Sequence, residues 1–141
     1  MPKLYTLSAY ETSAQDFFES LRENKIDLVL DVRLKNSNQL CGFTKRKDLE
    51  YLIPAITGAA YVHDLRFAPD DVLLERYLHK WCSWQEYSET YQAQMRKNKI
   101  PALFKALYGS YKNICILGTA TKKRRSHSEA LEELLSKKNK A

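Results

Sequence analysis

Five side chains combine the type and the placement needed to hold a negatively charged ligand: Arg33, Lys35, His63, Thr119 and His127. Arginine offers a planar fork of donors that matches phosphate oxygens, and lysine adds a point charge. Threonine contributes a hydroxyl, and histidine a ring that donates, accepts or moves a proton near neutral pH. His63 and His127 are therefore also the candidate general bases. Each residue has a plainer role beside the functional one. Arg33 is two residues from Asp31 and can simply pair with it. A histidine at a strand end commonly hydrogen-bonds to backbone. His127 heads a helical pattern, where free backbone N–H groups favour an anion, while the helix dipole disfavours a protonated ring, so a neutral imidazole is the expected form.

The elements that must position these residues alternate between strand and helix. Lys3 to Ser8 reads as a short strand, and Ser13 with Asp16 caps a helix with Ala14, Phe17, Phe18 and Leu21 on one face. Ile26 to Val32 is a buried strand whose apolar run, Leu28 to Leu30, fits a parallel sheet covered on both sides. A polar loop from Leu34 to Gly42 leads to a helix opening at Thr44 and closing at Thr57-Gly58. Ala59 to His63 is a third strand, and Pro69 marks a helix start with Val72, Leu73, Tyr77 and Leu78 along one side. Ser83 and Glu86 form a capping box for a helix with Trp84, Tyr87, Tyr91 and Met95, and another helix begins at Pro101. Asn113 to Leu117 is the fourth strand, and Ser126 with Glu129 caps the last helix. The pattern predicts a three-layer α/β/α domain with a mainly parallel sheet of about four strands, Rossmann-like or flavodoxin-like, over residues 1–136, and a short basic tail over 137–141. In such a sheet the residues just past each strand gather at one edge, which collects Ser8 to Tyr10, Arg33, Lys35, His63 and Gly118 to Thr121.

Other motifs narrow the chemistry. Gly118-Thr119-Ala120-Thr121-Lys122-Lys123 resembles a phosphate loop but lacks the second glycine and the Lys-Ser/Thr end, and no G-x-G-x-x-G follows a strand, which excludes the usual ATPase and nicotinamide patterns. Cys41 lies in a polar loop without the anion-cradling turn a thiolate nucleophile needs and reads as an incidental thiol. Trp84, Tyr87 and Tyr91 could stack a base, yet an aromatic stripe at helical spacing normally belongs to a core. The three cysteines, Cys41, Cys82 and Cys115, contain no C-x-x-C pair, which argues against a disulfide framework and a structural zinc site. No metal and no cofactor are expected.

The 141 residues suffice for one core, and the net charge is +6. Residues 122–141 hold seven of the basic residues against three glutamates, so most of the excess sits there. Lys122, Lys123, Arg124 and Arg125, with the tail, form an alternative surface for nucleic acid or an acidic partner. No apolar run approaches the roughly 20 residues that span a bilayer, and no secretory signal precedes the first strand. A cytoplasmic, membrane-independent protein is expected, with the oligomeric state left open.

Several segments together carry a resemblance: Leu4-Tyr5-Thr6-Leu7, the helix with Phe17 and Leu21, Ile26 to Arg33, Gly42-Phe43, Tyr61-Val62-His63, Trp84 with Tyr87, and the final strand, loop, His127 and helix. The chain resembles the family called domain of unknown function 488 over nearly its whole length. That resemblance implies a compact three-layer α/β fold, a bacterial or archaeal cytoplasmic setting and no assigned activity. It also implies departures. The family's last strand typically ends in a cysteine and its last helix opens with Cys-His-Arg, whereas this chain has Gly118 and Ser126-His127-Ser128. This is then a divergent member without the cysteine pair, keeping only the histidine. Two functions follow as expectations: binding of a phosphorylated small molecule or nucleotide at the sheet edge through Arg33, Lys35, His63, Thr119 and His127, or a non-catalytic module docking nucleic acid on the basic loop and tail.

Overall fold

A parallel sheet covered on both faces shows as unbroken apolar runs, and Leu28, Val29 and Leu30, like Ile114 through Leu117, are fully buried. The computed structural model describes residues 2–37 and 39–140; the side chains of residues 39–41 and 137–140, including the Cys41 thiol and the tail lysines Lys137, Lys138 and Lys140, lie outside the described set. Four parallel strands, β1 (Lys3–Ser8), β2 (Leu28–Asp31), β3 (Ala60–His63) and β4 (Asn113–Gly118), form one sheet in the order β1-β4-β2-β3.

Two helices, α1 (Ala14–Glu23) and α2 (Arg46–Thr57), cover one face; Phe17, Phe18, Leu21, Leu49 and Ile53 pack there on Val29, Cys115 and Leu117. Four others, α3 (Asp71–Leu78), α4 (Trp84–Lys97), α5 (Ile100–Tyr108) and α6 (His127–Lys140), cover the opposite face, where Leu73, Tyr87, Tyr91, Phe104 and Leu131 meet Leu28, Leu30, Ile114 and Ile116. The period-2 alternation of strand side chains sorts these residues into the two layers. The result is a three-layer α/β/α architecture. Among the described residues no helix is long and apolar enough to cross a membrane.

Caps fix where the helices begin. Ser13 accepts from the Asp16 N–H at 3.0 Å, and Ser83 and Glu86 form a reciprocal capping box. Some boundaries differ from the sequence expectation for local reasons. α2 starts at Arg46 because Gln39–Thr44 forms 3-10 turns kinked at Gly42 and the buried Thr44 hydroxyl bonds the Ala9 carbonyl at 3.3 Å. Strand β2 is shorter than Ile26 to Val32, since the Ile26 N–H closes onto the Leu21 carbonyl at the exit of α1. Pro69 precedes α3 rather than opening it, and Asp70 caps that helix through the Val72 N–H at 2.8 Å. Only Leu73 and Tyr77 are buried on α3; Val72 is 63% and Leu78 39% exposed.

The end of β4 is held by a close approach. A Cβ on Gly118 would stand 2.6 Å from Ser128 Cβ and 2.7 Å from Ser126 Oγ, so only glycine lets the head of α6 sit against the strand. Gly118→Ala is expected to cost about 1–3 kcal/mol of stability by overpacking, and Ser128→Gly in the same chain should recover part of it. Urea unfolding of the two variants checks this; an Ala variant as stable as wild type would show that α6 is not pressed on the strand.

Candidate functional site

A buried charge survives only when hydrogen bonds replace its water, and Asp31 at the end of β2 receives a dense set of them. Its carboxylate accepts from Arg33 Nε at 2.9 Å, Arg33 Nη2 at 2.8 Å, the Arg33 N–H at 3.2 Å, Asn36 Nδ2 at 3.1 Å and the Tyr61 hydroxyl at 2.5 Å. Both partners are sealed, Asp31 at 0% and Arg33 at 1% exposure. Arg33 Nη2 also donates to the Thr44 carbonyl at 2.6 Å, which ties the 3-10 turn to the sheet. Burial alone would raise the Asp31 carboxyl, but the hydrogen bonds and charge of Arg33, aided by Tyr61 and Asn36, hold it below 3.8. Burial and the Asp31 charge push the Tyr61 phenol well up.

Both candidate histidines hold the chain that leaves β2. His127 Nε2 lies 2.6 Å from the Val32 carbonyl and His63 Nε2 2.8 Å from the Arg33 carbonyl. A carbonyl only accepts, so each Nε2 carries the proton. His127 is 3% exposed, and burial lowers its pKa to about 4 against the smaller upward pull of the Val32 bond and the Asp31 charge. The ring is neutral at physiological pH.

β2 and β4 are neighbours, yet the chain leaves β2 for α2 on one face and β4 for α6 on the other. Diverging connections open a crevice at such a switch point, where ligands of open α/β sheets bind. Here it is a cleft of about 130 Å³, bordered by Arg33 and Lys35 after β2, Thr119, Arg124 and His127 after β4, and Tyr10 after β1. Leu34, Leu74 and Leu78 form its apolar wall. The 119–125 loop beside it is pinned: Thr121 and Arg124 bridge to each other, the Ser8 hydroxyl bonds the Ala120 carbonyl, and the Lys122 N–H bonds the Glu11 carboxylate at 2.6 Å.

The charges around the cleft are basic. Arg124 makes no ion pair among the described residues, Lys35 lies only 4.0 Å from Glu75 with its side chain 74% exposed, and Arg33 is matched by Asp31 beneath it. The His127 backbone N–H at the start of α6 and the Thr119 hydroxyl have no hydrogen-bond partner among the described residues. Such an arrangement can bind an anion through side-chain charge and a helix N-terminus. The Ser126 and Ser128 hydroxyls bond each other at 3.2 Å, and Ser126 Oγ accepts the Thr119 N–H at 3.1 Å, so they fix the loop to the helix head.

Of the residues expected at the sheet edge, the structure brings Arg33, Lys35, Thr119 and His127 to one cleft, while His63 is not in its lining. Arg33 combines both weighed roles, since it borders the cleft and pairs with Asp31. The basic run does not act as one patch. Arg124 turns into the cleft, Arg125 is held by Glu129 at 2.9 Å and lies over the Trp84 ring at 4.4 Å, and Lys122 and Lys123 are exposed. Tyr87 and Tyr91 belong to the core. Cys82 and Cys115 are buried free thiols, and burial pushes Cys115 up to about 12. Among the described residues no three His, Cys, Asp or Glu side chains gather as metal ligands. Leu74 and Leu78 were missed as cleft wall because helical periodicity says nothing of which strand loop a face will meet.

Residues 13–135 match the family described as domain of unknown function DUF488. The chain belongs to that family. No curated protein and no solved structure matches it. The DUF488 description carries no activity, so chemistry rests on the geometry above. Gly118 and Ser126 are neighbours in space, and two serine hydroxyls fill the gap that a side chain at 118 would occupy.

Two outcomes follow. Arg33→Ala leaves the Asp31 carboxylate buried without its cation and should cost about 3–5 kcal/mol at neutral pH by urea unfolding; a loss under 1 kcal/mol would show that Asp31 does not need the pair. Acid should weaken the fold in two legs. His127 binds its proton near 6.5 when unfolded and about 4 when folded, so the unfolded state takes up more protons between those values and stability falls as pH drops through them, by on the order of 3 kcal/mol. Asp31, lowered in the fold, adds its loss only below 3.8. His127→Gln should flatten the first leg and leave the second.

Proposed function

We propose that this protein binds a small phosphorylated ligand at the carboxyl edge of its sheet, in the switch-point cleft between the β2 and β4 loops. The observation that carries the reading is the convergence of Arg124, which has no ion-pair partner among the described residues, with the head of α6 in a cleft whose lining contains no carboxylate. Arg33 serves as a rigid floor, since Asp31 and the Thr44 carbonyl hold its guanidinium, and Lys35 and Thr119 complete the anion's surroundings. At about 130 Å³ the cleft is smaller than the roughly 300–1,000 Å³ of drug-sized pockets, so it suits a phosphoryl group with a small carbon part. A nucleotide would leave its base outside, over Leu74 and Leu78.

Docking of nucleic acid on the basic loop and tail is the competing use, and the commitment of Arg125 to Glu129 and Trp84 weakens it. Thermal unfolding of wild type and Arg124→Ala with a triose phosphate, a mononucleotide and a short DNA, each at low and high salt, separates the two. Ligand at about a hundred times its dissociation constant adds roughly 2.7 kcal/mol, several degrees for a chain of this size. A shift with the small phosphate that disappears in Arg124→Ala is expected. A salt-sensitive shift with DNA alone, abolished by Lys122→Ala with Lys123→Ala, would overturn the reading, because phosphate-backbone contacts release counterions.

A further inference from the structure

Resting on the anion-binding reading above, we infer that the cleft selects an oxyanion that brings its own proton, hydrogen phosphate or the singly protonated form of a phosphate monoester, through the bare Nδ1 of His127. The ring lines the cleft and is 3% exposed. Its Nε2 is committed as a donor to the Val32 carbonyl at 2.6 Å, which fixes the tautomer and leaves Nδ1 as a lone-pair acceptor. That atom has no hydrogen-bond partner among the described residues, and the residue that carries it lines the cleft. Burial keeps it unprotonated, as the lowered pKa of about 4 indicates.

Apart from the smaller upward pull of the Val32 bond and the Asp31 charge, the groups around the ring act in the same sense. Arg33 and Arg124 border the same cleft, the α6 N-terminus adds positive potential, Tyr91 meets the ring edge-on at a centroid distance of 5.5 Å, and Asp31 is already matched by Arg33. A cationic ring is disfavoured beside those charges. A ligand oxygen arriving at Nδ1 therefore needs a hydrogen; a bare oxygen would set two lone pairs against each other in a nearly dry place. Sulfate and phosphodiesters carry no such hydrogen near neutral pH, whereas a phosphate monoester, with its second pKa near 6, does so in part. His127 thus acts as a specificity-determining residue, and the same acceptor that admits monoesters rejects the nucleic-acid backbone.

The test is calorimetric titration of wild type at about pH 6 with inorganic phosphate, sulfate and dimethyl phosphate. A site working by charge alone favours sulfate, which carries the larger charge there. The expected result is phosphate binding tighter than sulfate by about tenfold or more, the size of one hydrogen bond lost and its acceptor left unsatisfied, with dimethyl phosphate as weak as sulfate. His127→Phe keeps a ring of similar size and removes the Nδ1 acceptor without supplying another, and should bring the ratio close to one. Equal binding of phosphate and sulfate by wild type, or tighter sulfate, overturns the selection while leaving the anion site standing. Binding of none of the three overturns both. The wild-type comparison decides even if the variant does not fold.

Discussion

The ion pair of Asp31 and Arg33 is the constraint on which the site end of the molecule rests. Two opposite charges sealed from water are tolerated when hydrogen bonds satisfy their remaining lone pairs and protons, and that requirement recruits residues from three segments. Tyr61 comes from β3, Asn36 from the β2 loop, the Thr44 carbonyl from the turn before α2, and Arg33 itself from two residues along the chain. Satisfying one carboxylate thereby sets how the β2 loop folds back and where α2 begins. Thr44 passes the constraint on to the β1 loop through the Ala9 carbonyl.

The two histidines extend this scaffold in the other direction. Successive carbonyls of Val32 and Arg33 are each claimed by an imidazole, one from the head of α6 and one from the end of β3. The backbone leaving β2 is thus hydrogen-bonded from both sides, and the cleft beside it is bounded by groups that cannot readily shift. Rigidity of this kind is what a small binding site needs, because a charged ligand is recognised by donors already aimed rather than by ones that must first be ordered.

The close contact of Gly118 with Ser126 and Ser128 joins the second half of the cleft to the sheet as firmly as Asp31 and Arg33 join the first. The Thr119 N–H on Ser126 Oγ and the loop contacts to Ser8 and Glu11 hold the 119–125 loop beside the cleft that Thr119 and Arg124 line. This turns Arg124 inward while Lys122 and Lys123 remain in solvent. A run of four basic residues that looks uniform in the sequence is therefore divided by the fold into a cleft wall, a helix-stacked arginine and two solvated lysines.

The strands, the capping boxes and the gathering of Arg33, Thr119 and His127 at one edge were legible in the sequence, because apolar runs, cap spacing and the parallel topology they imply are local signals with direct physical causes. The start of α2 and the burial of α3 were not, since Thr44 is held by the Ala9 carbonyl far along the chain and Val72, on the apolar side by periodicity, stays in solvent. Likewise the sequence named Arg33 and His127 as polar residues at an edge but left open what they touch. Only the tertiary structure separated His63 from the cleft and brought Arg124 into it. The reason is that hydrogen bonds between residues some thirty to a hundred positions apart, such as His63 to Arg33 and His127 to Val32, leave no trace in the spacing of the residues that make them.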